Sequence, residues 1–291
     1  MTKKKKILIY TQFFYPGFRA GGPIKSLLYL ANELSNSFEF SVVCSCHDDG
    51  EKDCYENVKL DKMNQWSSNY IYYVSRNFFK TLKSLTLTKS QYDIIYLQSF
   101  FSFKYSILVI IYMFARRIHK PVIIAPRGEI NPGALEIKSF KKKIYLFFFK
   151  TLSFHRRIIF HSTNEKETMY LKNFFGPTAK IVQISNFSDR ANLDYDSNII
   201  RDPDILNVVF LSRIAKMKNL HYALEILKDS RININFDIYG PISDKQYWKK
   251  CQVFISNLPK NINAKYRGVI EQKLVYKILV KYDLFFLPTL G

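Results

Sequence analysis

The residues best suited to chemistry lie in short loops directly after apolar runs. Arg213 closes the run Val208 to Ser212, and Lys218 follows before a helical stretch that starts at Leu220. Two cations at one strand end can neutralise a departing diphosphate, because they stabilise negative charge that grows as a bond to phosphate breaks. A plain basic loop flanking a helix is the other reading. Gly240-Pro241 ends the next run, Ile234 to Tyr239, and would let the backbone close on a bound group.

In the first half, the loop Thr11 to Pro23 holds Pro16-Gly17 and Gly21-Gly22-Pro23 between an apolar run and a helical stretch. Adjacent glycines let a backbone approach a ligand closely. Pro23 suits a first helical turn, and the exposed N–H groups there favour an anion such as a diphosphate. The spacing is not the dinucleotide fingerprint G-x-G-x-x-G, and a tight structural turn fits the same residues. Arg127-Gly128-Glu129 follows the run Pro121 to Ala125. A charged pair flanking glycine at a strand's carboxyl end suits a hydroxyl-rich or anionic ligand; solvated loop charges are the alternative.

From Lys138 to Arg157 there are seven cations and no acid, with Phe140, Ile144, Phe147, Phe148 and Leu152 at helical spacing between them. The expectation is a basic amphipathic helix with its apolar stripe packed inward on a sheet. Lys138, Lys141, Lys142 and Lys143 would then face an anionic membrane surface, or simply solvent. Nucleophile signals are weak: there is no Gly-x-Ser-x-Gly, and the five histidines form no metal-ligand spacing. His161 ends an apolar run beside Thr163 and Asn164, which read first as helix caps. Cys44, Cys46 and His47 lack a second ligand pair, so no metal is expected. Four cysteines are too few for a disulfide framework in this chain, which favours a reducing compartment.

These loops need a scaffold. Short apolar runs alternate with helical stretches, the pattern of a parallel sheet covered on both faces. Seven runs precede residue 188: Ile7 to Tyr10, Phe40 to Cys46, Tyr70 to Val74, Asp93 to Gln98, Pro121 to Ala125, Ile158 to Ser162 and Lys180 to Ile184. A polar, acidic segment at 188–205 reads as a linker. The alternation then resumes with runs at Val208 to Ser212, Ile234 to Tyr239, near Lys265, and Leu284 to Pro288, separated by helices at Leu220 to Asp229, Lys245 to Asn257 and Gln272 to Lys281. Two domains follow, 1–187 and 206–291. The second is expected to be incomplete, because about six strand-helix units want on the order of 150 residues.

The chain has 291 residues and a net charge of +20, with 47% hydrophobic residues, which excludes intrinsic disorder. The excess is even: residues 1–150 carry 23 cations and 11 acids, and 151–291 carry 21 and 13. No nucleic-acid stripe results, and nucleic acid is not an expected partner. The run Tyr105 to Ala115 falls short of the roughly 20 residues that span a bilayer and reads as a buried helix. The apolar part of Ile7 to Tyr10 is too short for a signal peptide. A cytoplasmic protein, peripheral on the inner face of the cell membrane, is expected.

Taken in order, these segments resemble the group 1 (family 4) glycosyltransferases. The likeness is carried by Ile7-Leu8-Ile9-Tyr10 with Tyr15-Pro16 and Gly21-Gly22-Pro23-Ile24-Lys25-Ser26-Leu27. It continues in Ala125-Pro126-Arg127-Gly128-Glu129 with Pro132-Gly133-Ala134-Leu135, Ser185-Asn186, Leu211-Ser212-Arg213-Ile214 with Lys218-Asn219-Leu220, and Tyr239-Gly240-Pro241. It ends in Tyr282-Asp283-Leu284-Phe285-Phe286-Leu287-Pro288-Thr289. The resemblance implies the α/β GT-B fold: two Rossmann-like doubly wound domains facing a cleft, here with the second apparently C-terminally truncated.

It also implies retaining, metal-free, hexosyltransferase-like transfer of a sugar from a nucleotide-sugar donor to an acceptor hydroxyl, in bacterial surface polysaccharide biosynthesis. Arg213 and Lys218 would be catalytic, and Gly21, Gly22, Gly240, Pro288 and Thr289 would bind the donor. Gln98, Arg127 and Glu129 would line the side of a saccharide or polyprenyl-linked acceptor. Many relatives place a histidine where Gln98 stands, and the family's paired glutamates would fall beyond Gly291. The rival reading from the residues is a noncatalytic basic protein that binds membrane.

Overall fold

The computed structural model describes residues 4–136, 139–187 and 202–290. They form two compact units, Met1–Arg190 and Ala191–Gly291. Most of the expected linker 188–205 lies outside the described residues, as do Lys138 and Gly291.

The strands of the first unit are β1 (Lys5–Tyr10), β2 (Phe38–Ser45), β3 (Met63–Trp66), β4 (Asn69–Val74), β5 (Ile94–Leu97), β6 (Val122–Ile124), β7 (Ile158–Ser162) and β8 (Lys180–Gln183). They make one sheet in the order β3-β4-β2-β1-β5-β6-β7-β8. Neighbours are parallel except β3, which runs antiparallel to β4. Seven strands were expected; β3 is the eighth. Its four residues, Met63-Asn64-Gln65-Trp66, form a polar, partly exposed edge with too little apolar signal to stand out.

The apolar runs are continuous because both sheet faces are covered. On β1, Leu8 and Tyr10 join one cluster with Val109, Phe149, Leu171 and Phe175, while Ile9 joins the opposite cluster with Phe14, Ile24, Leu27 and Ala31. Those partners come from loops and from α1 (Gly22–Glu33), α2 (Phe78–Ser84), α3 (Leu108–Ala115), α4 (Pro132–Glu136), α5 (Ser139–Thr151) and α6 (Glu165–Phe175). Tyr105 to Ala115, expected as one buried helix, opens instead with a wider π turn over Phe103–Ile107 before α3. Cys46 and Cys54 are joined in a disulfide, which corrects the expectation of cysteines held only as thiols. Cys44 is a buried free thiol.

In the second unit, β9 (Ile205–Leu211), β10 (Asn233–Tyr239), β11 (Ile262–Gly268) and β12 (Leu284–Phe285) form a parallel sheet in the order β11-β10-β9-β12. Val208, Phe210, Phe236 and Ile238 pack one face under α7 (Leu220–Lys228) and α8 (Lys245–Ser256); α9 (Gln272–Leu279) precedes β12. On β10 and β11 the alternate positions are polar, and Asn207 of β9 joins them beside the buried, apolar Val209. Asn263 donates to Asn235 (3.1 Å), Asn235 to Asn207 (3.2 Å), and Tyr282 to Asp237 (2.7 Å), while Arg267 pairs with Asp237 (2.8 Å).

Each sheet reverses its direction of growth once. The chain lays β2 and β4 on one side of β1, then β5 on the other; likewise β10 and β11 lie on one side of β9 and β12 on the other. In open α/β sheets ligands bind outside the carboxyl ends of strands at such reversal points. The loops singled out from the sequence follow β1, β5, β6, β9, β10 and β12.

Candidate functional site

The first loop is shaped by a residue distant from it in the chain. Buried Asp48 accepts hydrogen bonds from the backbone N–H of Phe18 (2.8 Å) and Arg19 (3.0 Å), and the Tyr73 hydroxyl donates to the Tyr15 carbonyl (2.9 Å). These bonds hold the turn leading to Gly21, whose φ of 71° favours glycine. Helix α1 starts immediately after it, with Pro23 in its first turn and no side-chain cap.

Gly22, Pro23, Lys25 and Ser26 from this segment line a cavity of about 600 Å3 together with Arg127, Gly128, Thr163, Asn164 and Asn186. Arg127 is its centre. Its backbone is left-handed (φ 53°). One terminal nitrogen of its guanidinium donates to Tyr96 Oη (3.1 Å) and Gln98 Oε1 (3.1 Å), and the other to Asn186. Gln98 Nε2 donates in turn to the Pro23 carbonyl (3.2 Å). Gly22, Gln98 and Arg127 are thus brought together.

Behind Arg127 lies a buried chain whose direction is fixed. The Ile184 carbonyl only accepts, so His161 Nε2, 2.9 Å away, carries the proton. Nδ1 is then an acceptor and Tyr96 donates to it (2.8 Å), leaving the phenol oxygen to accept from Arg127. Burial pushes the His161 imidazole below its usual value, and the Arg127 charge adds to the shift, so the ring is held neutral. Burial likewise raises the Tyr96 phenol. Neither Tyr96 nor His161 was singled out as a site residue, because at the end of a strand each reads as core.

Glu129 has a structural role that its sequence neighbours do not announce. Its carboxylate accepts from Ser99 Oγ (2.8 Å), Phe100 N (2.6 Å) and Phe101 N (3.0 Å), tying down the loop after β5. It therefore braces the backbone of the loop that lies beside Arg127. Buried Glu167 acts similarly, accepting from Gly128 N (2.7 Å), Thr163 N (2.7 Å) and Thr163 Oγ1 (2.9 Å), while Asn164 caps α6 through Glu167 N (2.9 Å).

In the second unit the expected donor residues gather at one sheet edge. Arg213 follows β9 and Gly240 follows β10, joined by the bond from Ile214 N to the Pro241 carbonyl (2.9 Å). Gly240 has φ 136°, and a Cβ there would collide with the Ser212 carbonyl. Leu290 N donates to the Met217 carbonyl (2.9 Å), which sets the Pro288-Thr289 segment beside the Lys216–Lys218 turn. Burial lowers the Lys218 ammonium pKa, and the neighbouring Arg213 charge lowers it further, so the two cations share one field.

Helix α5 reverses the expected orientation. Leu146 and Phe149 are buried, whereas Phe140, Ile144, Phe147, Phe148 and Leu152 are exposed. The inward positions are the ones offset from the stripe that had been read as core. Lys142, expected at a membrane surface, is half-buried, donates to the Ala134 carbonyl and lies 5.0 Å from the Phe101 ring centre. Lys141 and Lys143 are exposed. Among the described residues no helix is long and apolar enough to cross a membrane.

No family model and no curated protein matches the chain. Solved structures do. HepE from Anabaena, solved with UDP-glucose, aligns with a TM-score of 0.67 at 15% identity over 98% of this chain and 74% of its own. The trehalose-6-phosphate protein of E. coli bound with UDP-2-fluoro glucose gives 0.64 at 12% identity, over 98% and 78%. A glycosyltransferase from Rickettsia africae gives 0.59 at 13% identity, over 98% and 73%. The fold is the GT-B fold of these glycosyltransferases.

Proposed function

We propose that this GT-B protein is a glycosyltransferase that moves a sugar from a nucleotide-sugar to an acceptor hydroxyl. The observation that carries the reading is the placement of Arg213, Lys218, Gly240 and Pro288-Thr289 on one carboxyl sheet edge, at the point where strand order reverses. The guanidinium and ammonium meet negative charge that grows on the leaving diphosphate, and neither a metal nor another cofactor is invoked. The N-terminus of α7, two residues after Lys218, adds its partial positive charge.

We place the reaction in the retaining class. The bond from the anomeric carbon to phosphate breaks, the acceptor oxygen joins the same face, and its proton passes to the leaving phosphate oxygen. Support comes from the first unit, where Glu129 and Glu167 are both engaged by backbone N–H groups, so neither is poised as a base. The cavity around Arg127 and Gln98 suits a hydroxyl-bearing acceptor, either a saccharide or a polyprenyl-linked one. We extend the reading to bacterial surface polysaccharide assembly in the cytoplasm, with the exposed Lys141 and Lys143 drawing the chain to an anionic membrane surface.

Calorimetry and turnover with a panel of nucleotide-sugars test the reading. Arg213→Ala and Lys218→Ala should each lower kcat by about two orders of magnitude while leaving circular dichroism unchanged. Full activity in Arg213→Ala would remove the proposed role. A chain that binds no nucleotide-sugar yet binds vesicles would favour the noncatalytic membrane-binding alternative.

A further inference from the structure

We infer that α5 inserts phenyl rings into the headgroup region of an anionic phospholipid leaflet, with its lysines gripping the lipid phosphates around them. The inference rests on the proposed attraction to an anionic membrane surface and adds a hydrophobic mode of attachment on named residues. At about 100° per residue, Phe140, Ile144, Phe147 and Phe148 fall in an outward arc of about 100°. They are 75%, 43%, 65% and 55% exposed. Lys141 flanks that arc on one side, and Lys143 and Lys150 on the other; all three are exposed. Leu152 continues the apolar surface past the helix end at 56% exposure, and Arg156 and Arg157 follow it.

An apolar outer face bordered by cations, with no acid from Ser139 to Thr151, is the form of a helix lying in a membrane interface. The rings are not needed for the core, since Leu146 and Phe149 already supply that contact at 4% and 0% exposure. A cavity of about 300 Å3 beside the helix, lined by Leu135, Leu146, Phe147 and Phe174 with Lys143 and Lys150, offers apolar walls near charge that suits a phosphate. Charge also selects the occupant. A second copy of this chain pairing across the same face would set Lys141, Lys143 and Lys150 against their own equivalents, whereas an anionic leaflet neutralises them.

The test is sedimentation of the full chain with vesicles of phosphatidylcholine alone or mixed with phosphatidylglycerol. The wild type should bind the mixed vesicles only. Phe147→Ser/Phe148→Ser should weaken binding by roughly tenfold or more, and Lys141→Gln/Lys143→Gln by a similar factor. Phe147→Trp should gain quenching by lipids brominated in the acyl chain, relative to the wild type with its Trp66 and Trp248. Unchanged binding by the serine variant, abolished by salt, would overturn insertion and leave the electrostatic reading standing. Absence of binding to either vesicle would overturn both. A concentration-dependent dimer lost in the serine variant would assign the face to a second copy instead.

Discussion

Arg127 is held by a proton arrangement that has one direction, which makes single-atom changes informative. Tyr96→Phe removes the hydroxyl that donates to His161 and accepts from Arg127, leaving two buried groups a partner short. It should cost about 1–3 kcal/mol in urea denaturation. It should also raise KM for the acceptor more than it lowers kcat, because the guanidinium loses its anchor. The histidine adds a pH signature. With its folded pKa lowered by burial below 6.5, the unfolded chain binds a proton more readily. The contribution is therefore complete above about pH 6.5 and is lost as pH falls toward the folded value. His155 is lowered in the same sense by burial, so His161→Gln should flatten this acid-side slope only in part, and denaturation midpoints measured between pH 5 and 7 separate the two.

Among the elements, two turns each depend on a single residue. Gly240→Ala forces a Cβ into the Ser212 carbonyl at a φ of 136°. It should destabilise the second unit by about 3 kcal/mol, seen as a lowered melting transition. Glu129→Ala strands the N–H groups of Phe100 and Phe101 and should cost about 2–3 kcal/mol, whereas loss of a ligand carboxylate at the surface would cost almost nothing. The contrast shows what the sequence could convey. Strand cores were legible because burial on both faces leaves unbroken apolar runs such as Leu8 to Tyr10, and the loops after them were legible because glycine and cations cluster there. The backbone bonds of Glu129 were not legible, because an acid beside glycine looks the same whether it faces a ligand or its own backbone. The orientation of α5 was not legible because its outward and inward faces both carry aromatic residues, so periodicity alone has no sign. Asp48, thirty residues from the loop it holds, gave no local signal at all.

For the molecule as a whole, the two sheets are built to different standards. The first has apolar clusters on both faces, while the second pairs one apolar face with Asn207, Asn235, Asp237 and Asn263 on the other. Less apolar area per strand predicts that the second unit opens first. Amide exchange should therefore be faster in β9 and β10 than in β1 and β2, and thermal unfolding should show two transitions rather than one. Equal protection in both sheets would contradict that ranking. Both sheets nonetheless share a polarity: the loops assigned to donor and acceptor follow a strand's carboxyl end. The opposite rims, at Lys5 or Ile205, hold none of the described residues assigned to sugar transfer. A dye, bead or fusion partner grafted onto those rims would leave turnover untouched, whereas the same cargo at the far rims would silence it.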